Sequence, residues 1–464
     1  MDACLPLICM KYLIREKSFY KHILLIAVPI AIQNLLVNIT ALADSVMLGN
    51  ADDTGRLLSA ASLANQPFFL LTMICFGLSG AATVLNSQYW GRGNPEAIRR
   101  VVSLTLKLAA LFALAMAAVV LIAPEWVMGL YTEKTQVIDQ GSQYLRIMGW
   151  AYLLFALSNT MICCLRSVEV VKISVAVNLC SFGTNVFLNW VLIFGNLGAP
   201  AMGIRGAAFA TLTARILEFI ITFLYVFCFD QKLGFRVKHL LSFDRVLLGD
   251  LVRHGSPVFI NEVLWSLGMT VQAAILGHIE YSVGDPVAAN SIASNVQQLC
   301  TVVIFGVANA AAVAVGKAIG ERNMEEARRR AYTLNLLSYG VGALSCAAVF
   351  LLRNAAVSLF GVSAETRSLA VELMVVTAFV AFFVSPSAVN IVGVLRGAGD
   401  TRFCLLAEML ALWCLAVPAG LIASLAALPV PLVLACMKMD EPAKVLICAV
   451  RRRGDKWIKI VTRG

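Results

Sequence analysis

Residues 60–100 read AASLANQPFFLLTMICFGLSGAATVLNSQYWGRGNPEAIRR, and residues 289–329 read ANSIASNVQQLCTVVIFGVANAAAVAVGKAIGERNMEEARR. The two stretches lie over one another without a gap at an offset of 229. Asn65 and Gln66 then fall on Ser294 and Asn295, and Phe76-Gly77 falls on Phe305-Gly306. The run from Gly91 to Arg100 falls on the run from Gly320 to Arg329. Agreement continues outward, with Pro29 on Pro257 at an offset of 228 and Leu165-Arg166 on Leu395-Arg396 at 230. An ordered series at near-constant offset means that the chain is two homologous halves.

Each half is a set of membrane crossings. Of 464 residues, 60% are apolar and 14% charged, against about a quarter charged in an ordinary soluble chain. The apolar residues form runs that reach the roughly 20 residues a helix needs to cross about 30 Å of hydrocarbon. These runs are rich in Leu, Ala, Ile and Phe without short alternation, so they predict helices and not a barrel. The predicted crossings are 22–48, 59–88, 104–123, 143–164, 174–194, 206–229, 255–279, 289–318, 333–352, 368–394, 404–424 and 430–450. The first run is too long for a signal peptide and carries Asp44.

Twelve crossings divide into two sets of six, and an even number places the start of both halves on one side of the membrane. The expected architecture is therefore all-α and integral to the membrane: two parallel six-helix bundles related by a pseudo-two-fold axis, with a cavity between them. The division is 1–21, an N-terminal segment; 22–229, the first lobe; 230–254, a basic linker; 255–450, the second lobe; and 451–464, a basic tail.

The net charge of +10 reports topology. With the N-terminus inside, Lys11, Arg15, Arg92, Arg99, Arg236, Arg328 and the tail all collect on the inner side, whereas the outer loops hold few basic residues. That bias puts both termini in the cytoplasm of a multi-pass cell-membrane protein and requires no nucleic acid. Trp126 and Trp457 near predicted boundaries fit interfacial anchors. The 13 cysteines have no disulfide or zinc spacing. His22, His239, His254 and His278 are isolated, so no metal site is assigned, and no nucleophile has a base at catalytic spacing.

An ionised side chain in the membrane centre costs roughly 2.5–3.5 kcal/mol on insertion scales, so it faces a cavity, a partner or a bound cation. Asp44 ends a polar stripe of the first crossing, with Gln33 and Thr40 within about 40° of it around the helix. Asn178, Asn185 and Asn189 share one face of the fifth crossing, where amides either serve a cation or proton site near Asp44 or make ordinary interhelical hydrogen bonds. Glu262 lies about seven residues into the seventh predicted crossing, with Ser266 and Thr270 continuing its face. Asp44, Glu262, Asn185 and Asn189 are the candidate cation- or proton-coupling residues; Gln33, Thr40, Asn178, Ser266 and Thr270 are candidate cavity residues.

Arg215 and Glu218 are expected to pair at i,i+3, as are Lys438 with Glu441 and, at i,i+4, Asp440 with Lys444. Glu408 has no local partner and overlays Asn178 in the repeat. Pro29, Pro257 and Pro386 interrupt long helices as hinges or static kinks. Phe68, Phe69, Trp265 and Met269 either line the cavity, accepting cationic aromatic substrates, or face lipid.

Virtually the whole chain also resembles the multidrug and toxic compound extrusion (MATE) transporters. The resemblance rests on L-A-D-S-V-M-L-G at 42–49, G-R-G-N at 91–94, L-R-S at 165–167 and T-N-V-F-L-N-W-V-L-I-F-G at 184–195. M-G-I-R-G-A-A at 202–208, L-R-G-A-G-D at 395–400 and G-D-K-W-I-K at 454–459 complete the series. It implies a V-shaped exporter that exchanges H⁺ or Na⁺ for small organic cations, without a cofactor, a nucleotide or an obligate protein partner. Asp44 falls on the family's first-helix acid, Asn185 and Asn189 on its fifth-helix polar positions, and Glu262 on the seventh-helix acid of the Na⁺-linked branch. A transient Na⁺ is thus expected near Asp44 or Glu262. Ser385 stands where that branch has an Asp, and Asn189 where some relatives have one, which leaves the coupling ion open. A flippase for a lipid-linked precursor would need several deep basic residues, which are few here; a channel or membrane scaffold would show no saturable counterflow.

Overall fold

The computed structural model describes residues 12–51, 56–277, 286–358 and 363–463. Lys11 and His278 lie outside them. Among the described residues, eleven helices are long and apolar enough to cross a membrane: α1 Lys17–Asn50, α2 Arg56–Gly91, α3 Pro95–Ile122, α4 Thr135–Ser167, α5 Lys172–Phe194, α6 Ile204–Phe229, α7 Arg245–Gly277, α8 Pro286–Gly320, α9 Met324–Ser358, α10 Ala364–Leu395 and α11 Thr401–Leu425. Most overrun the predicted apolar runs because capping continues them through polar sequence. The Asn323 side-chain Oδ1 accepts from the Glu326 N–H at 3.0 Å to start α9. Asp244 accepts from Val246 and Leu247 N–H at 2.9 and 3.1 Å to start α7. Those bonds, that of Leu247 first, hold the Asp244 carboxyl below the usual carboxylate range. With α7 beginning at Arg245, Glu262 sits about 25 Å along its helix and not one or two turns in.

The last predicted crossing, 430–450, is not one helix. It is α12 Val430–Met437 followed by α13 Asp440–Arg452. Pro442 explains the break: it has no N–H to donate, and its ring opposes the carbonyl four residues back, at Lys438. The Met437 carbonyl accepts from the buried Gln272 amide of α7 at 2.8 Å. Lys438 does not pair with Glu441 as expected; its ammonium donates to Gln272 Oε1 at 3.0 Å.

The chain forms two compact units, 32–82 with 95–251 (the N-unit) and the N-terminal 31 residues with 83–94 and 252–464 (the C-unit). In the N-unit, Leu71, Ala113, Tyr144, Met148, Tyr152 and Ala208 are among the buried side chains of a continuous core. In the C-unit, Ile292, Val349, Leu373, Met374, Val433 and Met437 do the same. Large apolar side chains such as Leu24, Leu111, Ile220, Leu344 and Leu351 remain exposed, as a hydrocarbon surrounding requires.

Within the C-unit the end of α2 crosses α8 at glycines. A Cβ on Gly91 would collide with the carbonyl of Lys317, one on Gly320 with the carbonyl of Gln88, and one on Gly316 with the Ser87 hydroxyl. Residues 87, 88 and 91 are the repeat equivalents of 316, 317 and 320, so the contact is reciprocal. Small residues one turn apart let two membrane helices approach backbone to backbone.

The tail after α13 is docked. Trp457 is 3% exposed, whereas Trp126 is 62% exposed. The expectation that Trp457 is an interfacial anchor is therefore corrected: polar anchoring of the flanking residues, described below, carries its ring inward.

Candidate functional site

In the N-unit, Asp44 of α1 receives a hydrogen bond from Asn189 Nδ2 of α5 at 2.5 Å. The same amide donates to Asn185 Oδ1 at 3.1 Å, one helical turn away. Asn185 Nδ2 in turn donates to Thr211 Oγ1 of α6 at 3.2 Å. The spacing of Asn185 and Asn189 puts both on one face of α5, and α6 brings Thr211 opposite. Three helices thus converge on one carboxylate. Asn189 is fully buried, and its Oδ1 has no hydrogen-bond partner. A buried carbonyl left open beside a carboxylate suits a proton donor or a small cation, because either would satisfy a group that otherwise carries a desolvation cost of about 1–3 kcal/mol.

The other residues of the predicted stripe are not joined to this network by the hydrogen bonds that hold them. Gln33 is buried with Oε1 unpartnered. The Thr40 hydroxyl donates back to the Leu36 carbonyl at 2.7 Å, and Asn178 Nδ2 to the Ser174 carbonyl at 2.7 Å.

Beside the network, Arg215 pairs with Glu218 at 2.6 Å, as the i,i+3 spacing predicted. The Ser158 hydroxyl donates to the other Glu218 oxygen at 3.1 Å. The Arg215 guanidinium lies over the rings of Phe68 and Phe155, 5.7 and 5.0 Å from their centroids. Phe68 is therefore engaged by an internal cation, whereas Phe69 is exposed. Tyr144 donates to Asn65 Oδ1 at 3.3 Å on the same side of the core.

In the C-unit, Glu262 of α7 meets Arg396, whose NH2 donates to Oε1 at 2.9 Å. Arg396 sits just past the wide turn Val389–Leu395 at the end of α10. Below Glu262, Ser266 is half-buried and Thr270 exposed, and the Thr270 hydroxyl donates to the Ser266 carbonyl at 3.1 Å. Ser385 is fully buried and its hydroxyl is unpartnered. Met269 is exposed and its sulfur lies 3.8 Å from the Lys438 ammonium.

Glu408, which had no partner on its own helix, finds one on α13. Lys444 reaches Glu408 at 3.4 Å, Asp440 at 2.9 Å and Glu441 at 2.8 Å. The expected Asp440–Lys444 pair is thus one spoke of a larger cluster, with Lys444 only 4% exposed. Among the described residues, no group of three or more His, Cys, Asp or Glu side chains is arranged to hold a metal ion.

Sequence reasoning missed Thr211, Arg396 as the partner of Glu262, and Lys444 as the hub of three acids. Signals existed for two of them. Thr211 precedes Arg215 by one turn on the same face, and Arg396 lies within the L-R-G-A-G-D run. Nothing in sequence spacing joins Lys444 to Glu408.

A family model, MatE, matches residues 29–191 and 257–422. The two matched blocks begin on the paired prolines of the repeat. Among curated proteins, the chain is 26% identical over 411 residues to the multidrug resistance protein PmpM of Pseudomonas aeruginosa, covering 88% of this chain and 84% of that one. It is 27% identical over 418 residues to a probable multidrug resistance protein NorM of Xylella fastidiosa, covering 88% and 86%. Among solved structures, a MATE in complex with MaL6 superimposes with a TM-score of 0.85 at 18% identity, over 93% of this chain and 95% of that one. A MOP superfamily transporter from Pyrococcus furiosus gives 0.84 over the same shares at 18% identity. At that identity the structures establish a shared fold.

Proposed function

The chain belongs to the MatE family, and on that premise we propose that it is a secondary active exporter of cationic amphipathic compounds, exchanging them for H⁺ or Na⁺ by alternating access. The relatives PmpM and NorM, named for multidrug resistance, support the substrate class. In this reading α12 and α13 together make the twelfth crossing, the lobes are 22–229 and 255–450, and both termini face the cytoplasm of a cell-membrane protein.

The observation that carries the reading is the Asp44 network. A carboxylate in an apolar helix accepts from Asn189, which is tied in turn to Asn185 and through it to Thr211, and a buried Asn189 carbonyl stands open beside it. Such a group takes up a proton or a small cation, since either one supplies the partner that the carboxylate and the open carbonyl lack. Competition between the coupling ion and an organic cation for the same negative charge gives antiport without a covalent step. Asn189 in place of a second acid leaves one carboxylate there, which favours H⁺ over Na⁺. Glu262 is the second-lobe coupling candidate, and its engagement by Arg396 means that a cation must displace a guanidinium to reach it. Arg215 and Arg396 are each paired with a glutamate, so neither of these two stands free to recognise a phosphate.

The test is efflux from proteoliposomes under separately imposed H⁺ and Na⁺ gradients. Asp44→Asn is expected to abolish gradient-driven transport while the purified protein stays folded, and Glu262→Gln to reduce it. Wild-type rates in both variants would end the proposal.

A further inference from the structure

We propose that the C-terminal strap, 455–463, is a cytoplasmic latch gripping the 396–400 turn, and that Glu262 sets the strength of that grip through Arg396. The inference rests on the alternating-access reading above and adds a device to it.

The strap follows α13 without regular secondary structure, yet its backbone is held on both edges. Lys459 N–H donates to the Ala398 carbonyl at 3.0 Å. The Gln88 side chain then pairs with the strap as a neighbouring strand would: Nε2 donates to the Lys459 carbonyl at 3.0 Å, and Oε1 accepts from the Val461 N–H at 2.9 Å. Arg463 N–H donates to the Tyr89 hydroxyl at 3.4 Å, and the Arg92 guanidinium to the Arg463 carbonyl. Asp455 pairs with Arg328 of α9 at 2.7 Å.

The turn is the hub. Asp400 is fully buried and held between Arg451, at 2.8 Å, and Lys459. The Gly397 carbonyl accepts from Gln88 Nε2 at 3.5 Å. Gly399 has φ +82°, and a Cβ there would stand 2.6 Å from Val461 Cγ1, so only glycine lets the strap seat. The first residue of this turn, Arg396, is the partner of Glu262. Five consecutive residues therefore touch the coupling candidate on one side and the strap on the other.

Three features make this a latch and not a fixed seam. Gln88, Tyr89 and Arg92 belong by sequence to the first repeat, while the turn and α9 belong to the second, so within the C-unit the strap ties together segments of both repeats. Its ionic ends are exposed: Asp455 is 74% and Lys459 42% exposed on the side chain, where ion pairs are weak. The strap, although it buries Trp457 and Val461, has no regular secondary structure, and such a short segment opens locally more readily than the helical core around it. Loss of the Glu262 charge frees Arg396 and loosens the turn that the strap grips.

The experiment is hydrogen exchange by mass spectrometry on the full-length protein in lipid nanodiscs, with transport measured in parallel. Strap amides at 459 and 461 are expected to be protected in the wild type and to exchange roughly tenfold faster in Gln88→Ala, which removes two backbone hydrogen bonds. Glu262→Gln, distant in sequence, is expected to accelerate the same amides about fivefold. Unchanged strap exchange in Glu262→Gln overturns the relay. Unchanged exchange and transport in Gln88→Ala overturn the latch, and an unprotected strap in the wild type overturns both. Because exchange is read without transport, loss of the antiport reading, through an active Asp44→Asn, remains distinguishable.

Discussion

Lys444→Met should be among the most destabilising single changes in the C-unit. One ammonium serves three carboxylates, Glu408, Asp440 and Glu441, at 3.4, 2.9 and 2.8 Å, all with side chains 15% exposed or less. Removing it leaves three acids facing one another away from water. Breaking a buried ion pair from one side costs about 3–5 kcal/mol, which for a chain of 464 residues corresponds to a fall in apparent Tm of about 3–5 °C. The opposite change, Glu408→Gln, removes the longest spoke and one surplus negative charge. The lost charge-assisted bond, about 1.5–3 kcal/mol, is offset by relief of repulsion among the carboxylates, so the net loss is less than about 1.5 kcal/mol. The double variant should recover part of what Lys444→Met loses, because it leaves two unpaired acids where the single variant leaves three. Thermal unfolding of the four proteins in nanodiscs, followed by intrinsic fluorescence, measures the order. If Lys444→Met is as stable as wild type, or Glu408→Gln costs as much as Lys444→Met, the account of the cluster is wrong.

Two further outcomes follow from particular contacts. Gly91→Ala and Gly320→Ala should each destabilise by about 1–3 kcal/mol, and by similar amounts, since each methyl meets the equivalent carbonyl of the other repeat; strongly unequal losses in thermal unfolding would contradict the reciprocal crossing. Asn189→Asp sets a second carboxylate at hydrogen-bond distance from Asp44, where two like charges do not both persist unaided, so uptake driven by a Na⁺ gradient should appear or rise; proteoliposome transport without any Na⁺ response would refute it.

Helix positions were legible because a membrane crossing is a local property, fixed by the length of an apolar run and the rise of a helix. The duplication was equally legible, since it needs only alignment of the chain with itself. The convergence of Asn185 and Asn189 on one face follows from their four-residue spacing, and the Arg215–Glu218 pair from a spacing of three. The break at Lys438 was partly readable through Pro442, but an apolar run on both sides hid it.

What the sequence by itself determined is thus the set of helices, their internal repeat and the faces on which polar groups lie. Tertiary structure alone decided which polar groups meet from one element to another: Arg396 and Glu262 are 134 residues apart, Lys444 and Glu408 36, and Val461 and Gln88 373. Helical periodicity sets where a side chain points around its own axis and says nothing of which helix stands opposite. That choice belongs to packing, where small residues admit close neighbours and every buried charge must find its counterpart in whatever helix the fold brings near.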